Sequence, residues 1–94
     1  MSFSSTQFLT MEILHGVITE VDYHNKEFVA RISDYIKPSN PEELVTMSFD
    51  RVEKADVQNI LLGATFVWCV GTLIIKENAS VEGFSKIHFR QLPP

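Results

Sequence analysis

Apolar and polar residues alternate along four segments of this chain, and a fifth segment is a nearly continuous apolar run. A period of two is typical of β-strands that bury one face. The segments between them are rich in Pro, Gly, Asn and Ser, as turns and loops are. The pattern therefore predicts antiparallel strands joined by short connections. The predicted strands are EILHGVITEVDY (12–23), EFVARISDY (27–35), ELVTMSF (43–49), TFVWCVGTLII (65–75) and FSKIHFRQL (84–92).

The first two segments predict a hairpin. Residues 24–27, HNKE, predict its turn, and Asn25 is suited to a positive φ there. Gly16 interrupts the first strand, as a glycine does at a bulge or at the bend of a barrel corner. Period two gives each strand an apolar face. These faces comprise Ile13, Val17 and Val21 in the first strand and Phe28, Ala30 and Ile32 in the second.

Residues 51–62 carry the helical signal of the chain. Asp50 is suited to cap a helix, Glu53 follows three residues later, and Gly63 is suited to the position after the last turn. Because the apolar pattern between them is mixed, the segment predicts either one short helix or two separate turns.

Together these elements predict a mainly β fold, a small five-stranded antiparallel barrel with one short helix between strands 3 and 4. Closure into a barrel would remove exposed strand edges, and both OB-like and SH3-like strand orders fit this size. A length of 94 residues fits one domain. We expect that domain to span residues 11–94. Residues 1–10, which include Phe3 and Phe8, are expected to form a flexible arm.

The segment 65–75 is apolar on both of its faces. If it pairs with 84–92, the numbers of facing residues sum to about 159, a register set by the turn between them. Phe66, Trp68 and the alternate residues after them then point inward. A strand with one face in water would alternate with polar residues, so this one is predicted to be buried on both faces. The covering element is the helix, the N-terminal arm or another molecule.

The leading functional hypothesis is a non-enzymatic protein-interaction or assembly module. Apolar surface that a chain does not cover itself is typical of an interface. Either a homodimer, in which like patches pair, or a different protein partner fits the pattern. The predicted interface residues are Val67, Cys69, Leu73 and Ile75.

The alternative hypothesis is a small barrel that binds single-stranded nucleic acid. Such proteins combine a basic groove with aromatic side chains, for which Tyr23 and Tyr35 are candidates. The formal net charge of −4 argues against this function, because phosphate recognition usually needs an excess of cations. Acidic residues also crowd the first hairpin. The predicted basic face comprises Arg31, Lys86, His88 and Arg90, and the opposing acids are Glu20, Asp22, Glu27 and Asp34.

No enzymatic activity, cofactor or metal is expected. In the predicted register Cys69 lies close to Arg90 and diagonal to His88, but no third orienting residue or known signature accompanies this pair. A buried cysteine that acts as a small hydrophobe is commoner. The histidines and the cysteine lack the short paired spacings of zinc sites. A ligand inside the barrel is disfavoured because side chains fill a five-stranded interior.

Cysteine usage and the apolar stretch both bear on location. A single cysteine favours a reducing compartment, and residues 1–16 lack the pattern of a signal peptide. The apolar stretch is shorter than the roughly 20 residues of a membrane-spanning helix. The sequence therefore predicts a cytoplasmic protein without membrane association.

Overall fold

The computed structural model describes residues 6–90, which form a five-stranded antiparallel sheet of order β3-β2-β1-β4-β5. The mainly β class is thereby confirmed. Closure into a barrel is not, because β3 and β5 stand at opposite ends of the strand order and do not pair within residues 6–90. The strands are β1 (Thr6–Asp22), β2 (Glu27–Asp34), β3 (Glu43–Ser48), β4 (Thr65–Ile75) and β5 (Ser80–Phe89).

β1 is the central strand, and two bulges interrupt its pairing. One shift in register lies between Ile18 and Glu20 opposite β2, and the other lies between Phe8 and Thr10 opposite β4. An extra residue reverses the alternation of side chains beyond it. The prediction that Ile13 and Val17 share the face of Val21 is therefore wrong.

The core side of β1 runs from Leu14 through Gly16 and Ile18, and it continues at Val21 only after the bulge. Gly16 is not itself a bulge. It faces Phe66 across β4, and a Cβ placed on Gly16 would collide with the ring of Phe66. Only a residue without a side chain leaves room for the far end of this ring against β1.

The core lies on one face of the sheet, between the strands and the segment that joins β3 to β4. Phe28 and Phe66 are almost completely buried, and their rings meet edge to face with centroids 6.2 Å apart. Ile60 from the joining segment is also fully buried. The complete buried set is Ile18, Phe28, Ala30, Ile32, Met47, Val52, Ile60, Phe66 and Ile87.

The joining segment contains two 3₁₀ helices, Phe49–Arg51 and Lys54–Asn59, so the single short helix is not formed. Ser48, rather than Asp50, caps the first, because its Oγ accepts a hydrogen bond from the Asp50 N–H at 3.2 Å. Gly63 is not the residue that follows the last helical turn, because the second 3₁₀ helix has its C-cap at Ile60. Its φ of 85° belongs to a separate turn, in which the Ala64 N–H donates to the Leu61 carbonyl at 3.0 Å.

Two hairpin turns of equal length join β1 to β2 and β4 to β5. Each has a positive φ at its last residue, 54° at Lys26 and 53° at Ala79. The prediction of a positive φ at Asn25 is therefore wrong by one position. A polar side chain stabilises each turn: Asp22 accepts from two backbone N–H groups, and Asn78 accepts from the N–H of Ser80 at 3.1 Å.

β4 and β5 pair with Phe66 opposite Phe89 and with Trp68 opposite Ile87. These numbers sum to 155, four less than predicted, because β5 begins earlier than residue 84. An even difference preserves the alternation of faces. Phe66 and Trp68 therefore point toward the core, as predicted, although each partner is displaced along β5.

The chain is elongated, with extents of 46 × 32 × 30 Å and a radius of gyration of 15.5 Å, compared with about 12 Å for a compact domain of this length. β2 pairs with β1 only as far as Leu14, so residues 6–13, 69–75 and 80–86 extend beyond it as a three-stranded sheet. We call this extension the ribbon and the remainder the core half.

Burial differs sharply between the ribbon and the core half. Among the side chains described in the ribbon, from residue 9 onward, none is fully buried. In β4 only Phe66 is fully buried, and every other position is half-buried. Burial of β4 on both faces is therefore not shown within residues 6–90, because the 3₁₀ segment, one of the predicted covers, lies over the face that already carries the core.

Candidate functional site

The candidate site is the face of the sheet opposite the core, which we call the outer face. In the centre of this face the apolar side chains of β1 and β4 lie next to each other. Ile13 faces Cys69, Met11 faces Gly71, and Met11 is 44% exposed. No helical segment in residues 6–90 covers this face, since the buried residues of that segment, Val52 and Ile60, belong to the core.

All the predicted interface residues lie on the outer face of β4. Val67, Cys69, Leu73 and Ile75 alternate with the core-facing residues, and each is half-buried. The sequence missed their neighbours on β1. The bulge opposite β2 places Ile13, Val17 and Met11 beside these residues, and no residue pattern in the sequence marks where that bulge falls.

The predicted basic residues also lie on the outer face. Arg31 of β2 faces Val17, Val17 faces Thr65, and the N–H of Arg90 donates to the Thr65 carbonyl at 3.0 Å. Arg31 and Arg90 therefore lie at the two ends of one row of facing residues that crosses the sheet from β2 to the end of β5. Three strand spacings separate them by about 14 Å. Arg31 also forms an ion pair with Glu42 at 3.0 Å, so part of its charge is already neutralised.

The next row places histidines on both sides of Val67, which faces His15 on β1 and His88 on β5. Cys69 in the following row faces Lys86, not Arg90, because β5 is displaced relative to the predicted register. His88 stays diagonal to the cysteine, as predicted. Cys69 has no disulfide partner, and within residues 6–90 no cluster of metal-binding side chains occurs.

Charge is unevenly distributed over the outer face. The rows from Arg31 through Met11 contain no carboxylate on the outer face of β2, β1, β4 or β5. Acidic residues lie along the 3₁₀ segment, at Asp50, Glu53 and Asp56. They also lie on the outer face beyond these rows, at Glu20 and Glu27 near the first turn and at Glu82 opposite Leu73. A chain with a net charge of −4 thus presents a band of cations in the middle of the outer face, with carboxylates at both ends of that face.

Only one of the two candidate stacking residues lies beside this face. The backbone N–H of Tyr35 donates to the Ile13 carbonyl at 3.0 Å, and its side chain is 57% exposed. Tyr23 belongs to the opposite side, where its hydroxyl donates to the Ile60 carbonyl at 3.0 Å and its ring meets Phe49 edge to face.

Two of the acids that were predicted to repel phosphates have structural roles. Hydrogen bonds from Asn25, mainly from its backbone N–H, hold the pKa of Asp22 below its usual value. The backbone N–H of Lys37 does the same for the pKa of Asp34. These carboxylates cap the turn before β2 and the loop after it, at opposite ends of the strand, and do not occupy the basic rows.

No helix within residues 6–90 is long and apolar enough to cross a membrane. Comparison with protein-family models, with curated proteins and with solved structures finds no match to this chain.

Proposed function

We propose that this chain is a non-enzymatic interaction module whose outer face binds another protein. The observation that carries the proposal is the uncovered apolar centre of that face, where Ile13 and Cys69 face each other and Met11 is 44% exposed. Contiguous apolar surface surrounded by polar residues is typical of protein interfaces.

The charge distribution favours a different protein over a second copy on this face. Lys86, His88 and Arg90 flank the apolar centre along β5. Two such faces pressed together would bring like charges into one interface, which disfavours association. The proposed partner therefore has an apolar patch bordered by acidic residues. A reducing, cytoplasmic location, which a single unpaired cysteine favours, completes the proposal.

Cys69 provides a direct test because it is the single cysteine and lies at the centre of the face. A photoreactive maleimide attached to Cys69 should crosslink a specific protein in extracts of the native cells, identified by mass spectrometry. Leu73→Asp, which places a charge in the apolar centre, should abolish the adduct.

The matched control moves the label to the opposite side of the molecule. Cys69→Ser combined with Gln58→Cys places the maleimide on the second 3₁₀ helix, at an exposed position. Identical adducts from both positions, or an adduct that survives Leu73→Asp, would contradict the proposal.

A second candidate function, single-strand nucleic-acid binding, is favoured by the carboxylate-free rows between Arg31 and Arg90. A strand order of β3-β2-β1-β4-β5 with the helical segment between β3 and β4 leads us to propose an OB-like sheet that is open between β3 and β5. OB folds commonly bind single strands, although a shared fold does not specify a function.

This second function predicts that labelled oligonucleotides bind with an affinity that falls as salt rises, by about −0.7 in log–log slope per neutralised phosphate. Lys86→Glu with Arg90→Glu should abolish binding. Arg51→Glu with Lys54→Glu makes the same change in net charge on the helical side and should leave it nearly intact. Binding that ignores salt, or equal losses in the two double variants, would exclude this function.

A further inference from the structure

The edge of β5 is a second surface that borders the outer face, from which the even-numbered side chains of β5, including Lys86, project. Among residues 6–90, β5 pairs only with β4 and contains neither a proline nor a bulge. An edge of this kind presents unpaired backbone groups to any strand that approaches it.

The register identifies which backbone groups are presented. The N–H of Arg90 donates to the Thr65 carbonyl, and this pair has the same sum as Phe66 with Phe89. Hydrogen-bonded pairs alternate along an antiparallel ladder. Even-numbered residues of β5 therefore direct their N–H and C=O groups toward β4. The open edge carries the backbone groups of Val81, Gly83, Ser85 and Ile87.

The sequence of β5 is complementary to itself about Phe84. If a second copy of β5 approaches antiparallel with Phe84 opposite Phe84, then Glu82 faces Lys86 of the second copy, and Lys86 faces its Glu82. Opposite charges and aromatic residues are both favourable cross-strand pairs. In this register Val81 is opposite Ile87 and Gly83 is opposite Ser85.

The same register satisfies the backbone. The pairs Val81 with Ile87 and Gly83 with Ser85 join odd-numbered residues, whose groups point to the open edge, so both pairs are hydrogen-bonded. Glu82 and Phe84 then occupy non-hydrogen-bonded positions, where facing side chains lie closer together. Registers centred on Glu82 or on Lys86 would oppose like charges, and those centred on Gly83 or Ser85 would lose the Glu–Lys pairs.

We propose that two copies of this chain associate through antiparallel pairing of their β5 edges, centred on Phe84, to form one continuous ten-stranded sheet. The occupant is a second copy because the charges of the edge match those of its own sequence. The pairing places the two outer faces side by side, and it does not depend on what those faces bind.

A charge-exchange series tests the register by mass from light scattering over a range of protein concentrations. The unaltered protein should be a dimer. Lys86→Glu and Glu82→Lys should each weaken dimerisation by about tenfold or more, because each replaces two attractive pairs with repulsive ones. The double variant Glu82→Lys with Lys86→Glu should restore the dimer, since it exchanges the partners and keeps the pairs.

Lys54→Glu is the control for net charge, because Lys54 is exposed on the second 3₁₀ helix, and it should stay dimeric. A protein that is monomeric at every concentration, or a double variant that is folded by circular dichroism yet not restored, would overturn the proposal. Neither result would affect the crosslinking test from Cys69, which probes the outer face.

Two variants at Gly83 test the backbone hydrogen bonds of the edge pairing. Gly83→Pro removes an N–H that faces the open edge and should prevent dimerisation, whereas Gly83→Ala retains it. A Cβ at Gly83 meets no atom within 4 Å, so the alanine variant should dimerise as the unaltered protein does. Equal dimerisation of a folded Gly83→Pro variant would overturn the predicted edge pairing.

Discussion

The core half and the ribbon share three strands but differ in what surrounds them. In the core half, Phe66 and Ile87 are buried beneath the 3₁₀ segment, at 0% and 3% exposure. In the ribbon the same two strands pair Ile74, which is half-buried, with Val81, which is 62% exposed. Hydrogen-bonded pairing therefore continues after the core has ended. The comparison shows that apolar composition alone does not determine burial in β4.

The largest expected difference between the two regions concerns side-chain truncation along β4. Phe66→Ala should lower the free energy of unfolding by about 3–5 kcal/mol, because it leaves a cavity in the core. Ile74→Ala lies on the same strand and the same face, but it should cost no more than about 1 kcal/mol, since Ile74 is only half-buried. Urea unfolding of the two variants measures both effects. Equal costs would mean that the ribbon is as well packed as the core half.

A smaller effect is expected from adding a methyl group at the two glycines where β1 and β4 approach most closely. Gly16→Ala would place its Cβ against the ring of Phe66, and repacking should cost about 1–3 kcal/mol. Gly71→Ala would place its Cβ against the backbone carbonyl of Thr10 in the ribbon. There the strands themselves must separate.

Amide hydrogen exchange distinguishes the two glycine variants. Gly71→Ala should accelerate exchange within residues 9–13 and leave the amides of β2 unchanged, because opening of the ribbon is local. Gly16→Ala should accelerate exchange throughout the core half. Faster exchange in β2 of the Gly71→Ala variant would show that the two regions unfold together.

The smallest expected effect is a difference between the two hairpin turns in how their stability depends on pH. The Asp22 carboxylate has a pKa below its usual 3.8 because Asn25 and His24 donate to it. A group whose pKa is lowered on folding contributes stability above its unfolded pKa and loses it as pH falls through the folded pKa. Asn78, which caps the other turn, does not titrate.

Acidification below pH 3.8 should therefore weaken the hydrogen bonds that the His24 and Asn25 N–H groups donate to Asp22. The hydrogen bond of the Ser80 N–H to Asn78 should stay intact. Amide chemical shifts followed through an acid titration measure this difference. Asp22→Asn should remove the pH dependence of the first turn. A parallel response at Ser80 would indicate a general effect of acid on the fold and not the protonation of Asp22.

The strands and most of their faces could be predicted from the sequence because period two is a local property. Phe28, Ala30 and Ile32 alternate as expected and are buried. The faces of Ile13 and Val17 could not be predicted, since a bulge is determined by pairing with a distant strand. Closure failed for a similar reason, because whether β3 meets β5 depends on the curvature of the whole sheet.

The candidate site was likewise predictable where it depends on local alternation and unpredictable where it depends on pairing between distant strands. Val67, Cys69, Leu73 and Ile75 share one face because side chains alternate within β4. The assignment of that face as the outer one survived because a register error of four residues preserves the alternation. The row that joins Arg31 to Arg90 spans four strands, and only the assembled strand order shows it. The self-complementary charges of β5 about Phe84 are present in the sequence, but they predict self-association only once β5 is known to be an edge strand.

Trp68 lies where the core half meets the ribbon. It packs against the core, and its indole Nε1 donates to the hydroxyl of Ser85 at 2.8 Å on the neighbouring strand. This placement makes the single tryptophan a built-in fluorescence reporter. Its emission wavelength records whether water reaches the junction, so opening of the ribbon away from the core half can be followed by fluorescence without adding a dye.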